Sequence, residues 1–207
     1  MQWDGTDLAG ANLAGCDFRG ASLEKCNLTG ADLASANLKD ASLLQSTLNQ
    51  ANLKAANLDR CNLQDVTMDG AQCQYARYSL DLMKTGVMKG ANLGPVDLYG
   101  KEVPGLQLDR CELVGANFQK SFLISASFVG ANLTGADLFG ANVRGANFSD
   151  ADLTNVRIKG ATCLDQAQFD GANFTNSDWK GPNAAAAQTP PRGGSYGGSR
   201  AVPRLRG

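Results

Sequence analysis

An apolar residue recurs at every fifth position of this 207-residue chain, from Trp3 to Cys163. All 33 of these positions are apolar, and 19 of them hold leucine. Two residues before each of these centres, alanine occupies 18 positions and cysteine another four. Because only 43% of the chain is apolar, an unbroken series of this length is not a chance arrangement. A repeat of five residues therefore governs the fold, as in solenoid proteins.

The period excludes an amphipathic helix, because apolar residues about 500° apart would spiral around the cylinder instead of forming a stripe. In an extended chain, alternation places the small residue and the apolar centre on one face and the intervening Asn or Asp on the other. The last two residues must then turn a corner, and glycine, which accepts a positive φ, ends 15 of the units. Four sides with corners of about 90° close one coil every twenty residues, with coils about 4.8 Å apart. The sequence predicts an all-β, four-sided parallel β-helix.

The unit Ala-Asn/Asp-Leu/Phe-X-Gly, as in the residues from Ala131 to Gly135, resembles the repeat of the pentapeptide-repeat family. The resemblance covers residues 1 to about 180. It implies a right-handed quadrilateral β-helix solenoid, and the number of units predicts about nine coils. It implies no single activity, because the family hosts several.

The repeat loosens between residues 77 and 110. The apolar centres persist, but the small inner positions hold Asp81 and Lys101 among others. A charge that faces the interior without a partner is costly, so we expect the chain to bulge or reorient there. We predict a distorted stretch within one continuous coil, and a loop extruded near residues 80–90 is the alternative.

The C-terminal part departs from the period again. Phe169 follows Cys163 by six residues instead of five, which predicts a bulge. Beyond residue 180 the chain has four arginines, no acid and many glycines and prolines, a composition typical of disorder. We predict two domains: a β-helix over residues 1–180 and a disordered, flexible tail over 181–207. In chain order, the β-helix consists of a regular block 1–76, a distorted middle 77–110, a regular block 111–163, and a bulge with a C-terminal coil 164–180.

Histidine is absent and the formal net charge is −1. Without an imidazole, the chain lacks Ser–His and Cys–His nucleophile pairs and most catalytic zinc sites. The six cysteines form no C-x-x-C pair, so we expect buried free thiols and no redox site. We therefore predict no catalytic, cofactor-binding or metal-binding residues, and a protein that is not an enzyme.

The sequence gives indirect signs of the compartment. No run of 18 apolar residues occurs, so we predict no membrane span. The first four residues lack the basic and apolar character of a secretory signal, and free thiols favour a reducing compartment. We expect a cytoplasmic protein, and the resemblance adds the plastid or thylakoid lumen as the alternative if the chain is a processed form.

Apolar side chains at outward positions are the candidate binding residues, because exposed apolar patches usually mark contact surfaces. The primary candidate partner surface comprises Tyr99, Pro104, Phe122, Ile124, Phe139 and Leu164. The secondary candidate surface, in the distorted middle, comprises Tyr75, Leu80, Leu82 and Val87. We predict a structural or scaffold protein that binds another protein through the flat faces of the β-helix, and self-association through a helix end stays open.

The resemblance also suggests a different function. Some pentapeptide-repeat proteins resemble duplex DNA in shape and charge and bind type II topoisomerases such as gyrase. Here Asp97 and Asp137 share a predicted column, but Asn117 separates them, and residues 1–180 carry 15 basic against 20 acidic side chains. Duplex DNA carries one charge per about 1.7 Å. DNA-mimic regulation of gyrase is therefore the alternative, and we expect no direct nucleic-acid binding.

Overall fold

The computed structural model describes residues 1–179 as a β-helix solenoid. Parallel backbone bridges join residues twenty apart and recur at every fifth residue, as in Asp32 with Asn52. Each coil therefore takes twenty residues and offers four bridging positions. The strands are single-residue bridges, and the helices of the described range are two 3-10 turns, Leu82–Lys84 and Leu164–Gln166. The predicted tail, 181–207, lies outside the described residues.

One five-residue unit satisfies all of its own backbone N–H groups. The N–H groups of Asp32, Leu33 and Ser35 donate to carbonyl oxygens of neighbouring coils at 2.8 to 2.9 Å. The N–H of Ala36 donates to the carbonyl of Leu33 at 3.0 Å and closes the turn. The remaining N–H, that of Ala34, donates to the Asp32 side chain at 3.1 Å. The outward Asp or Asn is therefore part of the turn, since its side-chain oxygen takes the one donor that the ladder leaves over.

The last residue of each regular unit adopts a left-handed backbone conformation. Glycine meets this need without strain at Gly135, where φ is +66°. Other residues take the same conformation, including Ala55 at φ +56° and Gln45 at +59°. The corner geometry is thus imposed by the coil, and glycine is preferred there without being required.

The interior consists of stacked columns of apolar side chains. Phe128 and Phe148 stack with ring centroids 5.0 Å apart and an angle of 4° between the planes, which confirms the predicted column. Phe169 continues the stack at 5.2 Å from Phe148. The turn at Leu164–Gln166 absorbs the extra residue, because the bridges beyond it join residues 21 apart, as in Asn147 with Gln168.

Residues 78–90 interrupt the ladder, because the structure has no bridge in this part of the described chain. The apolar centres Met83 and Met88 are nevertheless fully buried. The flanking bridge between Gln72 and Asn92 still spans twenty residues. The segment therefore follows the path of a coil but does not pair like one.

The distortion is shorter than the predicted stretch 77–110. Bridges resume at Asn92 and continue at Asp97, so within the predicted stretch the unbridged part covers residues 78–90. Asp81 and Lys101 are both exposed, so neither charge is buried in the interior. Asp81 pairs with Lys84 at 3.2 Å in the 3-10 turn.

Candidate functional site

Phe122 is an aromatic residue at an outward position that holds a polar side chain in every other unit that forms a backbone bridge. It bridges Glu102 in the coil below and Asn142 in the coil above, so its backbone keeps the regular ladder. Its side chain is 44% exposed. Phenylalanine has no oxygen to accept the N–H of Ile124, so this unit gives up the hydrogen bond that Asn142 provides to Arg144 at 3.1 Å.

A surface depression of about 280 Å³ lies beside this ring. It is lined by Phe122, Pro104, Ile124 and Glu102. Three members of the primary candidate surface therefore lie together, and a carboxylate that the sequence analysis did not select borders them. The depression is largely apolar and open to solvent, which suits an inserted side chain better than a buried ligand.

Tyr99 and Phe139, two further members of the primary candidate surface, do not line this depression. Each ring has a cation over its face instead. The Lys120 ammonium lies 5.6 Å from the Tyr99 ring centroid, and the Arg157 guanidinium lies 4.6 Å from that of Phe139. Such contacts are weakly stabilising at exposed sites. These rings are thus amphipathic patches with positive charge above them.

Three predicted outward residues are partly buried against the core: Leu164, Leu82 and Val87. Leu164 and Leu82 lie in the two 3-10 turns, which replace the strand alternation that would have pointed them outward. Val87 lies in the turns that follow the first 3-10 segment. Conversely, Val114 is 47% exposed, although the sequence analysis did not select it.

The other two members of the secondary candidate surface, Tyr75 and Leu80, are exposed at the mouth of a second depression of about 250 Å³. We call this depression the crevice. Met83 and Val96 line it, together with Asp97. Burial raises the pKa of Tyr78, a further lining residue, above its usual range. Val96 by itself does not signal the crevice in the sequence, because Val156 also replaces alanine at this inner position in a unit that keeps its bridge.

Most of the ionic interactions join a carboxylate to a cation on its own or a neighbouring coil. The seven ion pairs of the described residues have N–O distances between 2.6 and 3.7 Å. They are Arg19–Asp17, Arg60–Asp40, Arg77–Asp59, Lys84–Asp81, Lys89–Asp109, Arg110–Asp69 and Arg157–Asp137. Hydrogen bonds from the arginine partner lower the pKa of Asp17, and the same holds for Asp40. Seven of the 20 acidic side chains are therefore paired with a local cation.

The six cysteines are all free. Burial raises the pKa of Cys61, Cys73 and Cys111 to about 12, so these thiols are protonated and unreactive at neutral pH. Cys16 is exposed, contrary to the prediction of buried thiols, because it lies in the first described coil with no coil packed beneath it. Cys163 is partly exposed at the start of the second 3-10 turn.

Within residues 1–179, no group of three or more Cys, Asp or Glu side chains is arranged to hold a metal ion. None of the helices in that range is long and apolar enough to cross a membrane.

Known proteins match this chain in its repeats. A pentapeptide repeat region matches residues 1–80, and pentapeptide repeats (8 copies) match residues 111–150 and 131–162. One similar solved structure is that of HetL, a pentapeptide repeat protein involved in heterocyst differentiation regulation in the cyanobacterium Nostoc sp. strain PCC 7120. The two sequences are 28% identical over an alignment that covers 86% of this chain and 74% of HetL, and the TM-score is 0.37. A protein of the Arabidopsis thaliana thylakoid lumen is 24% identical, covering 66% of this chain and 65% of its own, with a TM-score of 0.34.

QnrB1, a plasmid-mediated fluoroquinolone resistance protein, is 19% identical, covering 90% of this chain and 93% of its own, with a TM-score of 0.34. No curated protein matches the chain.

Proposed function

The chain belongs to the pentapeptide-repeat family, and on that basis we propose that it is a non-enzymatic scaffold which binds another protein through the exposed surface around Phe122. Proteins of this family are generally structural or interaction proteins. The proposed scaffold is a right-handed, four-sided rod whose flat sides display side chains in fixed columns. Binding by this mechanism needs no cofactor, because the contact depends on shape and apolar burial.

The observation that carries the proposal is the exposed ring of Phe122. Its position favours Asn or Asp, whose side chain would complete the turn hydrogen bonds. An aromatic residue there loses that hydrogen bond and leaves apolar surface in water, and both effects are unfavourable to the isolated protein. A binding partner that covers the ring recovers the apolar term, and aromatic residues are enriched among the residues that dominate binding energy.

The charges near this surface indicate what the partner presents. Lys120 and Arg157 lie over the neighbouring rings of Tyr99 and Phe139. Arg157 is already paired with Asp137 at 2.9 Å, whereas Lys120 pairs with no carboxylate of residues 1–179. We therefore expect the partner to place an apolar side chain in the depression beside Phe122 and a carboxylate against Lys120.

The test is Phe122→Asn, which gives this unit the same outward residue as Asn142 in the coil above. Because asparagine can cap its own turn, the variant should fold at least as well as the wild type. Affinity capture from the native host with the wild type should yield a partner that Phe122→Asn loses. Size-exclusion chromatography with light scattering measures self-association in parallel.

Val114→Thr is the matched control, because it removes a similarly exposed apolar residue from a different column, in which Thr134 lies one coil above. The control should retain every partner. Identical partners and an identical oligomeric state for wild type and Phe122→Asn would show that the surface around Phe122 does not bind.

DNA-mimic regulation of gyrase is the alternative. A DNA-like face requires rows of uncompensated carboxylates, whereas seven of the 20 acidic side chains here have a cation within 4 Å, and residues 1–180 also carry 15 basic side chains. These pairs weigh against mimicry. A gyrase supercoiling assay with added protein distinguishes the two functions, since inhibition or protection from a quinolone would reverse our preference.

The state of the thiols bears on the compartment. All six cysteines are free, and free thiols persist in reducing surroundings. We therefore propose a cytoplasmic location, with a plastid or thylakoid lumen as the alternative. Fractionation of the host with an antibody to the protein tests this assignment.

A further inference from the structure

One column of outward residues contains a single gap. Asp17, Asn37, Asn57 and Arg77 are bridged in succession, and so are the four residues from Asp97 to Arg157. Arg77 and Asp97 are not bridged, although they occupy adjacent coils of the same column. The wall of the β-helix is therefore split at this level, and the crevice lies at the split.

The split leaves peptide groups unpaired on both of its edges. In the coil below, the N–H of Leu58 donates to Arg77 at 2.7 Å, and the N–H of Arg77 donates to Ala56 at 2.8 Å. The equivalent groups at the split are the N–H of Tyr78 and the N–H of Asp97. Neither donates to a backbone carbonyl of the described residues, and the carbonyls of Ala76 and Asp97 accept no backbone N–H there. Each edge thus presents a donor and an acceptor, as the edge of a β-sheet does.

The floor of the crevice is apolar. Met83 and Leu93 are buried beneath it, and Val96 contributes to the wall. An apolar cavity of about 150 Å³ accommodates a benzene-sized molecule. The volume of about 250 Å³ therefore has room for one leucine-sized side chain together with its peptide unit.

The rim of the crevice carries an aromatic ring and a negative charge. Tyr75 is 79% exposed and adopts a left-handed conformation at φ +60°, which is strained for a bulky side chain. Asp97 has no cationic partner among the described residues, because Arg77 pairs with Asp59 at 3.0 Å instead. In the same column, Asp137 is paired with Arg157 at 2.9 Å. Asp97 therefore favours a basic ligand.

We propose that the crevice binds an extended peptide segment of a partner protein, in which an apolar side chain is flanked by Lys or Arg. The peptide backbone pairs with the unpaired groups of Ala76, Tyr78 and Asp97, in the manner of an added strand. The apolar side chain enters between Met83 and Val96. The flanking basic side chains point outward, as alternate residues of a strand do, and one reaches the Asp97 carboxylate.

The experiment is an NMR titration of the full chain with the capped pentapeptide acetyl-Ser-Arg-Leu-Arg-Ser-amide. We expect shift changes at the amides of residues 76–78 and 96–98, and none at Phe122. A second peptide, N-methylated at leucine, lacks the central N–H and should bind at least about fivefold more weakly, because one hydrogen bond is lost. Equal binding of the two peptides would show that the backbone does not pair, and no shift at millimolar peptide would overturn the proposal outright.

Variants separate the contributions. Asp97→Asn keeps the side-chain oxygen that accepts the N–H of Tyr99 at 3.1 Å, so the turn is preserved while the charge is removed. It should weaken the arginine peptide by about two- to fivefold, as expected for an exposed ion pair, and leave a serine-substituted peptide unaffected. Asp32→Asn is the matched control, since it removes an outward carboxylate far from the crevice, keeps the oxygen that accepts the N–H of Ala34 at 3.1 Å and should leave the binding of both peptides unchanged.

Two other occupants are outcomes of the same titration. The segment Arg204-Leu205-Arg206 has the proposed pattern but lies outside the described residues. Tighter peptide binding by Leu205→Ser than by the wild type would assign the crevice to the chain's own end, against the proposal. A free protein that is dimeric, with the amides of residues 76–78 protected in the dimer only, would assign it to a second copy, also against the proposal.

Discussion

The coils around Phe128 and the segment 78–90 share the same five-residue period, yet the coils form a closed ladder and the segment does not. Both regions bury their apolar centres completely, as Leu133 and Met83 illustrate. They differ at the other two restricted positions. The segment has Asp81 where alanine is usual and Leu82 where Asn or Asp is usual. The apolar centres therefore keep the chain on the path of a coil even where both of the other restricted positions have changed and the backbone no longer pairs.

The largest expected effect distinguishes the two regions by their packing. Leu133→Ala should lower the free energy of unfolding by about 3 to 4 kcal/mol, because a closed coil cannot collapse onto the cavity. Met83→Ala should cost at least about 1 kcal/mol less, since Met83 borders the crevice and its surroundings can relax. Urea unfolding of both variants measures the difference. Equal losses would mean that the segment is packed as tightly as the coils.

Backbone protection gives the second comparison. Amides of residues 78–90 lack most ladder hydrogen bonds, whereas the amides around Leu133 have them. Exchange in the segment should be at least about 100-fold faster, because local opening there does not require the rod to unfold. Hydrogen exchange followed by mass spectrometry resolves the two regions. Similar protection would contradict the split ladder.

Asp109 anchors the segment to the next coil, because its carboxylate pairs with Lys89 at 3.0 Å. Burial alone would raise the pKa of Asp109, but hydrogen bonds from Ser127 and Lys89, with one from a backbone N–H, hold it below its usual value. The stabilisation is therefore complete above the unfolded-state pKa, about 3.9, and is lost as the pH falls through the folded-state pKa.

Accordingly, Asp109→Asn should be about 1 kcal/mol less stable than the wild type at neutral pH. The difference in the free energy of unfolding between variant and wild type should disappear as the pH falls below the range where the wild-type carboxylate stays ionised. Denaturant unfolding at a series of pH values measures it. A gap that is the same at every pH would show that the charge of Asp109 does not contribute.

The smallest effect concerns the corners of the regular coils. Ala55→Gly should raise stability by about 0.5 to 1 kcal/mol, because glycine relieves the left-handed strain at φ +56°. Ala34→Gly is the matched control, since Ala34 precedes the left-handed corner residue and has no positive φ, and it should lower stability by a similar amount. Thermal melts of both variants suffice. Destabilisation by both would mean that the corner is not strained.

Sequence periodicity predicted the coil length and the stacking of Phe128 on Phe148, because both follow from counting along a strictly repeated unit. It failed where the unit changes length or composition. Leu164 was expected outward, but the six-residue unit forms a 3-10 turn that points it toward the core. The sequence predicted only part of the crevice, namely Tyr75 and Leu80. Asp97 on the opposite side belongs to a regular unit, and nothing in that unit shows that its backbone fails to bridge Arg77, twenty residues earlier.

The sequence by itself determined that the chain winds in coils of twenty residues with its leucines inside, because every fifth residue must avoid water and only a short extended side with a corner allows this. Only the tertiary structure decided where neighbouring coils separate. A backbone bridge forms between two units that lie twenty residues apart, and both must have a straight, unbulged backbone. The missing bridge between Arg77 and Asp97, and the crevice that it opens, therefore cannot be predicted from the sequence of either unit alone.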